Sequence, residues 1–381
     1  LNYLDYENLK SYLYLMKIAI TGTRGIPNRY GGFEQFAQKL SIGLAARGHD
    51  VWVYNTRHHI YKEPIYRGVR IISKISPERQ LGPLANYLYD FICLRDAIRR
   101  HADIILECGF ASASPCYPYL NLKKSRLITH MDGMEWKRTK WGKYTRRIIR
   151  KSIVKTIRYS DALVCDHLEM FKFYAMNYSQ QTVYIPFGAD IIQALDKTVL
   201  EAFKLEAGRY YLVTARLEPE NNIRDIILGY LAAELSEPLV VVGDYSGKYG
   251  RRIHREFRDV EDIIFAGGIY HEESLDNLRH FCKALIHGHS VGGTNPSLLE
   301  AMAAGAWILA HDNPFNRYIL EEDALYFNAR DDLAVILRKM DDGYSKSMEM
   351  IGNNREKIRN QYQWENIISK YETLFRELTG K

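Results

Sequence analysis

Short apolar, β-branched runs alternating with helix-forming stretches, in two successive series, constrain this chain more than any other feature. Residues 16–22 (MKIAITG) end in glycine and read as a buried first strand. After the loop that follows, Phe33, Phe36, Ala37, Leu40 and Leu44 recur at helical spacing, and Gly48 stands where a helix stop belongs. Residues 51–55 (VWVYN) read as a second strand, with further candidates at 69–73, 104–107, 127–130 and 162–165. The pattern restarts at 210–215 and continues at 239–243, 263–266, 284–287 and 307–311. Such alternation predicts parallel sheets covered on both faces, hence an α/β protein. At 381 residues the chain is too long for one ordinary core. Two doubly wound domains are expected, over residues 16–188 and 189–360. A terminal helix follows over 361–381, with Ile367, Ile368, Tyr371, Leu374 and Phe375 on one stripe.

Composition excludes several classes. With 46% hydrophobic and 26% charged residues the chain is neither disordered nor collagenous nor a coiled coil. No apolar run approaches the roughly 20 residues of a membrane-spanning helix. Asp5, Glu7 and Lys10 interrupt the opening stretch, which does not read as a secretory signal. Five cysteines without a C-x-x-C pair argue against a disulfide framework or zinc ribbon and suit a reducing cytoplasm. Charge is unevenly placed: residues 1–190 hold 29 Lys and Arg against 16 Asp and Glu, whereas residues 191–381 hold 23 against 30. Residues 137–158 alone carry ten basic side chains and no acid. Lys143, Arg147, Lys151, Lys155 and Arg158 fall near one helical face, which suits anionic lipid, nucleic acid or a phosphorylated ligand, or is a solvated face. No nucleic-acid-binding signature accompanies it, so a membrane surface ranks first and nucleic acid is not expected.

Ligands of open α/β sheets bind beyond the carboxyl ends of the strands, and chemically distinctive residues follow several strands here. The loop 22–34 (GTRGIPNRYGGFE) does not meet G-x-G-x-x-G, and strand two ends in Asn55 rather than an acid, which argues against nicotinamide dinucleotides. Gly31 and Gly32 allow backbone to approach a ligand at the next helix start, and Arg24 and Arg29 suit phosphate or sugar hydroxyls. An ordinary turn with surface arginines is the alternative. In 130–138 (HMDGMEWKR) a carboxylate beside an indole suits a sugar, though Asp132 and the later Asp166 are also natural helix caps. In the second series Arg216 directly follows a strand and can reach a diphosphate. Asn295 and Pro296 read as the cap and first residue of a helix; with Gly292 and Gly293 before them, its free N–H groups make an anion site. Glu300, about one turn in, is placed to accept ribose hydroxyls or else to complement the helix dipole.

The glycine loop, R-x-x-x-E at Arg216–Glu220 and P-S-L-L-E-A-M-A-A-G from Pro296 together resemble the family 4 retaining glycosyltransferases of the GT-B fold. G-T-R-G-I-P-x-x-Y-G-G-F-E, D-G-M-E-W-K-R-x-K-W-G, A-R-L-E-P-E-N-N-I and H-G-H-S-V-G-G-T-N-P-S-L-L-E-A-M-A look like a bacterial subgroup that includes polysaccharide rhamnosyltransferases. The resemblance runs from Met16 over nearly the whole chain; residues 1–15 lie outside it. Two positions depart from the wider pattern: Gly292 stands where an acidic donor-sugar contact is usual, and Asn221 where a lysine is usual.

The resemblance implies two facing Rossmann-like domains with a C-terminal helix crossing back. It implies sugar transfer from a nucleotide diphosphate to an acceptor hydroxyl with retained configuration. Asp132, Arg216 and Glu300 are then the catalytic candidates. Donor binding is expected from Arg216, Glu220, His287, His289, Gly292, Gly293, Thr294, Asn295, Ser297 and Glu300. Acceptor binding is expected from Arg24, Arg29, Tyr30, Gly31, Gly32, Glu34, Glu135 and Trp136. No carboxylate pair has an assignable nucleophile role, so a front-face displacement is the working mechanism. No Asp-x-Asp occurs, and no metal or cofactor beyond the nucleotide-sugar substrate is expected. By family association the expected donor is dTDP-L-rhamnose, with UDP- and GDP-sugars open, and the expected acceptor an undecaprenyl-diphosphate-linked saccharide at the anionic inner face of the cell membrane, in cell-surface polysaccharide synthesis. A nucleotide-sugar 2-epimerase and a non-catalytic nucleotide-sugar or carbohydrate binder are the alternatives.

Overall fold

The structure is a computed structural model that describes residues 16–29, 31–131, 133–137, 142–340 and 344–381. Tyr30 and Asp132 therefore lie outside the described residues. The chain forms two compact units, one running to Pro186 and taken up again by Trp364–Lys381, the other comprising Phe187–Gln363.

In the first unit β1 (Lys17–Thr21), β2 (Asp50–Thr56), β3 (Ile65–Tyr66), β4 (Val69–Lys74), β5 (Ile104–Cys108), β6 (Arg126–Met131), β7 (Ala162–Cys165) and β8 (Val183–Tyr184) make one sheet, ordered β3-β4-β2-β1-β5-β6-β7-β8. All neighbours are parallel except β3 and β4. That pair departs from the all-parallel expectation because Arg67 and Gly68 both take positive φ (46° and 85°), which closes a two-residue hairpin. The central strands are buried on both faces, as helix-covered strands must be. Two apolar clusters result, one around Trp52, Tyr54, Tyr89 and Tyr117, the other around Phe110, Trp136, Ile153 and Tyr174.

The second unit holds β9 (Tyr211–Thr214), β10 (Leu239–Val242), β11 (Ile263–Gly267), β12 (Ala284–His287), β13 (Ile308–His311) and β14 (Leu325–Phe327). They are parallel throughout, in the order β11-β10-β9-β12-β13-β14. Strand order reverses between β1 and β5 in one sheet and between β9 and β12 in the other. Strands β3, β8 and β14, two or three residues long at sheet edges, carry too little pattern to be read from sequence.

The last helix, Trp364–Thr379, belongs to the first unit and buries Ile367, Ile368, Tyr371, Leu374 and Phe375. Tyr371 and Trp364 lie 5.4 and 6.2 Å from the Phe36 ring of the helix Gly32–Ala46. Gly43 lets the two helices approach: a Cβ there would sit 2.2 Å from Ile368 Cδ1. A charge cluster completes the contact. Glu372 accepts from Arg47 Nη1 at 2.6 Å and Arg376 Nη2 at 2.7 Å, and pairs with His49 Nε2 at 3.1 Å. Partial burial opposes ionisation of Glu372, but the bonds from Arg376, Arg47 and His49 outweigh it and hold the carboxyl down to about 2. A depressed carboxylate stabilises the fold above its unfolded pKa near 4.5, and the contribution disappears as pH falls toward 2. Glu372→Gln should therefore cost about 1 kcal/mol at pH 7, allowing for solvent screening, and the gap to the parent chain should narrow between pH 5 and 3. Thermal unfolding of both chains across that range checks this; a gap independent of pH would mean the cluster does not stabilise through ionised Glu372.

Candidate functional site

At the reversal in the second sheet, the loops after β9 and β12 are joined by side-chain bonds to backbone. The β9 loop carries Arg216, which is exposed and forms no ion pair among the described residues, followed by the turn Pro219–Asn221. Asn221 Nδ2 donates to Arg216 O at 2.6 Å, while its Oδ1 meets His289 Nδ1 at 2.8 Å. With the amide nitrogen on a carbonyl, Asn221 Oδ1 is an acceptor, which assigns the proton to His289 Nδ1. Asn222 Nδ2 donates to Gly288 O at 2.8 Å, and Glu220 O accepts from Ser290 N and Oγ at 3.0 and 2.9 Å. His289 O in turn accepts from Asn313 and Asn316. Asn221, in the place of the usual lysine, is thus a brace between two loops.

Gly292 has φ +146°, a conformation that favours glycine, and a Cβ there would lie 2.9 Å from His289 Nε2. An acidic side chain does not fit this loop as folded, which gives the departure at Gly292 a physical reason. His287, closing β12, is buried; burial and then His311 hold its imidazole down to about 4, so it is neutral at physiological pH. Thr294 and Glu220 are buried, and Gly293 lies between Gly292 and Thr294.

Asn295 caps the helix Pro296–Ala304, its Oδ1 accepting from Ser297 N at 2.9 Å. The N–H groups of Leu298 and Leu299 donate to Asn295 O. This corrects the expectation of free N–H groups at the helix start: Asn295 takes those of Ser297, Leu298 and Leu299. Ser297 Oγ is likewise engaged, donating to Thr214 O at 3.1 Å and lying 2.8 Å from Thr214 Oγ1, which ties the helix start to β9. What remains for an anion is the helix dipole and the exposed Arg216, two residues past Thr214 in the chain. Glu300 is ion-paired through Oε2 to Arg279, whose Nη1 reaches Asp276 Oδ1 at 2.8 Å. Burial pushes the Asp276 carboxyl up to about 6 against the pull of Arg279. Sequence reading missed Arg279 and Asp276, since nothing in it separates them from surface charges of the helix Glu272–Phe281.

In the first unit the loop after β1 is held from below. Gly22 and Gly25 have φ +79° and +121°, and Cβ atoms there would lie 2.3 Å from Glu107 Oε1 and Asn55 Oδ1. Asn55 accepts from Ile26 N at 3.0 Å and donates to Ile26 O at 2.7 Å. Glu34, an acceptor-binding candidate, is buried and its Oε1 accepts from Arg24 N at 2.9 Å, so it braces the loop. Arg24 is ion-paired to Glu78, whereas Arg29 is exposed and forms no ion pair among the described residues. Gly31 precedes the helix Gly32–Ala46 in extended backbone. Trp136 corrects its expectation as a sugar platform: its indole is buried in the core, 5.1 Å from the Phe173 ring. Glu135 is also buried. His167, rather than Asp166, caps the helix after β7, its Nδ1 accepting from Glu169 N. Beneath the glycine loop Thr21 donates to Glu107 at 2.5 Å, and burial raises Glu107 while pushing the nearby Asp90 up to about 7. These two carboxyls were not singled out because each sits in an apolar stretch of its element. Among the described residues no group of three or more His, Cys, Asp or Glu side chains is placed to hold a metal ion.

A domain family described as a domain of unknown function (DUF1972) matches residues 15–190. No curated protein matches the chain. Solved structures do. Sucrose-phosphate synthase from Thermosynechococcus elongatus superposes with a TM-score of 0.78 at 16% identity, over 95% of this chain and 99% of its own. The Anabaena protein HepE in complex with UDP-glucose gives 0.72 at 15%, over 94% and 99%. An α,α-trehalose-phosphate synthase from Burkholderia xenovorans with glucose 6-phosphate gives 0.74 at 10%, over 94% and 100%. At these identities the likeness establishes the fold, which is GT-B.

The joined loops leave no room for a side chain at Gly288, where a Cβ would lie 2.2 Å from Asn221 O. Gly288→Ala should destabilise the chain by ~1–3 kcal/mol. Gly352→Ala, in a helix with nothing within 4 Å of the new methyl, should be neutral or stabilising. Parallel thermal melts test the pair, and equal melting of parent and Gly288→Ala would refute the close approach.

Proposed function

We propose that the chain is a retaining glycosyltransferase that moves a sugar from a nucleotide diphosphate to an acceptor hydroxyl. The observation that carries this reading is Arg216, exposed and without an ion pair among the described residues, two residues past Thr214, whose side chain is bonded to Ser297 at the start of the helix Pro296–Ala304 at the reversal of the second sheet. Ligands of open α/β sheets bind at such reversals. Solved proteins of the same fold carry UDP-glucose and glucose 6-phosphate, which supports a nucleotide-sugar substrate and a sugar acceptor.

Breaking the bond between the anomeric carbon and the diphosphate builds negative charge on the departing group and positive charge on the sugar ring. The Arg216 guanidinium and the helix dipole stabilise the first charge where it develops. Glu300 accepts the ribose hydroxyls and fixes the nucleoside. The neutral His287, with His289 and Thr294, presents hydrogen-bonding groups to the donor. The acceptor hydroxyl approaches on the face the diphosphate leaves, and the departing phosphate takes its proton. This assigns neither a metal nor a covalent enzyme intermediate. The donor is dTDP-L-rhamnose, by resemblance of the motifs. The acceptor, a lipid-linked saccharide in polysaccharide synthesis, is assigned to Arg24, Arg29, Tyr30, Gly31, Gly32 and Asp132 of the first unit.

The helix Lys143–Tyr159 supports a place at the cytoplasmic membrane face. It buries Ile149, Ile153 and Thr156 and exposes Lys143, Arg147, Arg150, Lys151, Lys155 and Arg158. No helix among the described residues is long and apolar enough to cross a membrane, so such contact is peripheral.

Nucleotide-diphosphate release should appear with one donor among dTDP-, UDP- and GDP-sugars, require an acceptor, and survive EDTA. Glu300→Ala and Arg216→Ala should each lower kcat/KM at least tenfold. Acceptor-independent conversion of the sugar would favour an epimerase, and binding without release across the panel a non-catalytic binder. Separately, Arg147→Glu with Lys151→Glu should weaken binding to vesicles rich in anionic lipid while turnover of a soluble acceptor persists; unchanged vesicle binding would remove the membrane assignment.

A further inference from the structure

The group that holds Glu300 comes from a neighbouring helix. Arg279 lies near the end of the helix Glu272–Phe281, with its side chain only 3% exposed, between two carboxylates. One terminal nitrogen reaches Asp276 on its own helix, three residues earlier, and the other reaches Glu300 Oε2 on the helix Pro296–Ala304. The two helices are joined again one residue later, where His280 Nδ1 meets Ala304 O at 2.7 Å. The Glu300 side chain keeps 16% of its surface exposed. One end of the pair is thus sealed in protein while the other faces outward.

Burying a guanidinium is costly unless both of its faces are well paired, and removing one partner leaves the other charge uncompensated. A planar fork locked at both ends also fixes the rotamer of whatever it holds, which a single mobile ammonium does not. A carboxylate that must meet two adjacent hydroxyls in one orientation gains affinity from such advance ordering.

We propose that Arg279 is a positioning residue for Glu300: clamped by Asp276, it fixes the Glu300 carboxylate in the orientation that meets the ribose of the nucleotide. The inference rests on the reading of Glu300 as the ribose contact. Arg279 itself touches no substrate and acts only through Glu300.

The test is calorimetric binding to the full chain, using whichever of UDP, GDP and dTDP the parent binds most tightly, with inorganic diphosphate as a second probe. Glu300→Gln and Arg279→Gln should each weaken the nucleoside diphosphate about tenfold. The double variant should be no weaker than Glu300→Gln alone, because the two side chains act as one unit. Inorganic diphosphate should bind all three variants as it binds the parent, a readout that general loosening of the unit would move. Arg279→Gln binding nucleotide like the parent while Glu300→Gln is weakened would overturn the proposal and leave the donor site standing. A loss for inorganic diphosphate equal to that for nucleotide would reduce Arg279 to a structural residue. Glu300→Gln binding nucleotide normally would instead remove the ribose assignment on which the proposal rests. Should Arg279→Gln not fold, Arg279→Lys carries the same test, since one ammonium keeps charge but not the fork; its loss must again be confined to the nucleoside.

Discussion

One amide holds the second unit's carboxyl edge together. Asn221 satisfies the carbonyl of Arg216 with one end and the imidazole of His289 with the other, at 2.6 and 2.8 Å. Loops after parallel strands have no ladder partners of their own, so their backbone groups must find side chains or water. Here Asn222, Ser290, Asn313 and Asn316 complete what Asn221 begins. The consequence for chemistry is rigidity: Arg216 projects from a braced turn, and charge meeting a fixed dipole needs little reorganisation.

The same bracing bears on the two positions, 221 and 292, where the motifs depart from the family they resemble. A lysine at 221 would supply charge but would not bridge Arg216 O and His289. An acid at 292 would require φ +146° of a side-chain-bearing residue and would run into His289. The two substitutions belong together, since the histidine that Asn221 orients occupies the space an acid at 292 would need. In the first unit Asn55 plays the corresponding part, closing both polar groups of Ile26 beneath the glycine loop.

Legibility followed the range of the interaction. The central strands and the helices beginning at Gly32 and Pro296 could be read directly, because apolar periodicity, N-caps and helix-stopping glycines are local signals. Edge strands of two or three residues could not. Site residues divided in the same way. Asn295 as a cap and Arg216 as an exposed strand-end cation were visible from position. Trp136 was not recognisable as core, because a carboxylate beside an indole has the same sequence whether the ring faces solvent or Phe173. Nor were Glu34 and Ser297 recognisable as braces, their partners being ten and 83 residues away.

By itself, then, the amino-acid sequence determined the α/β class, the two strand series, the positions where chain leaves each strand, and the cationic face of the helix Lys143–Tyr159. These depend on hydrophobic period and composition, which need no knowledge of distant partners. Tertiary structure alone decided which polar side chains hold the loops and which stay exposed. Asn221, Ser297 and Glu34 turn inward, Arg216 and Arg29 stay outward, and Glu300 is gripped by an arginine from another helix. The reason is that buried polar groups must be satisfied wherever a partner lies in space, and only folding sets those distances.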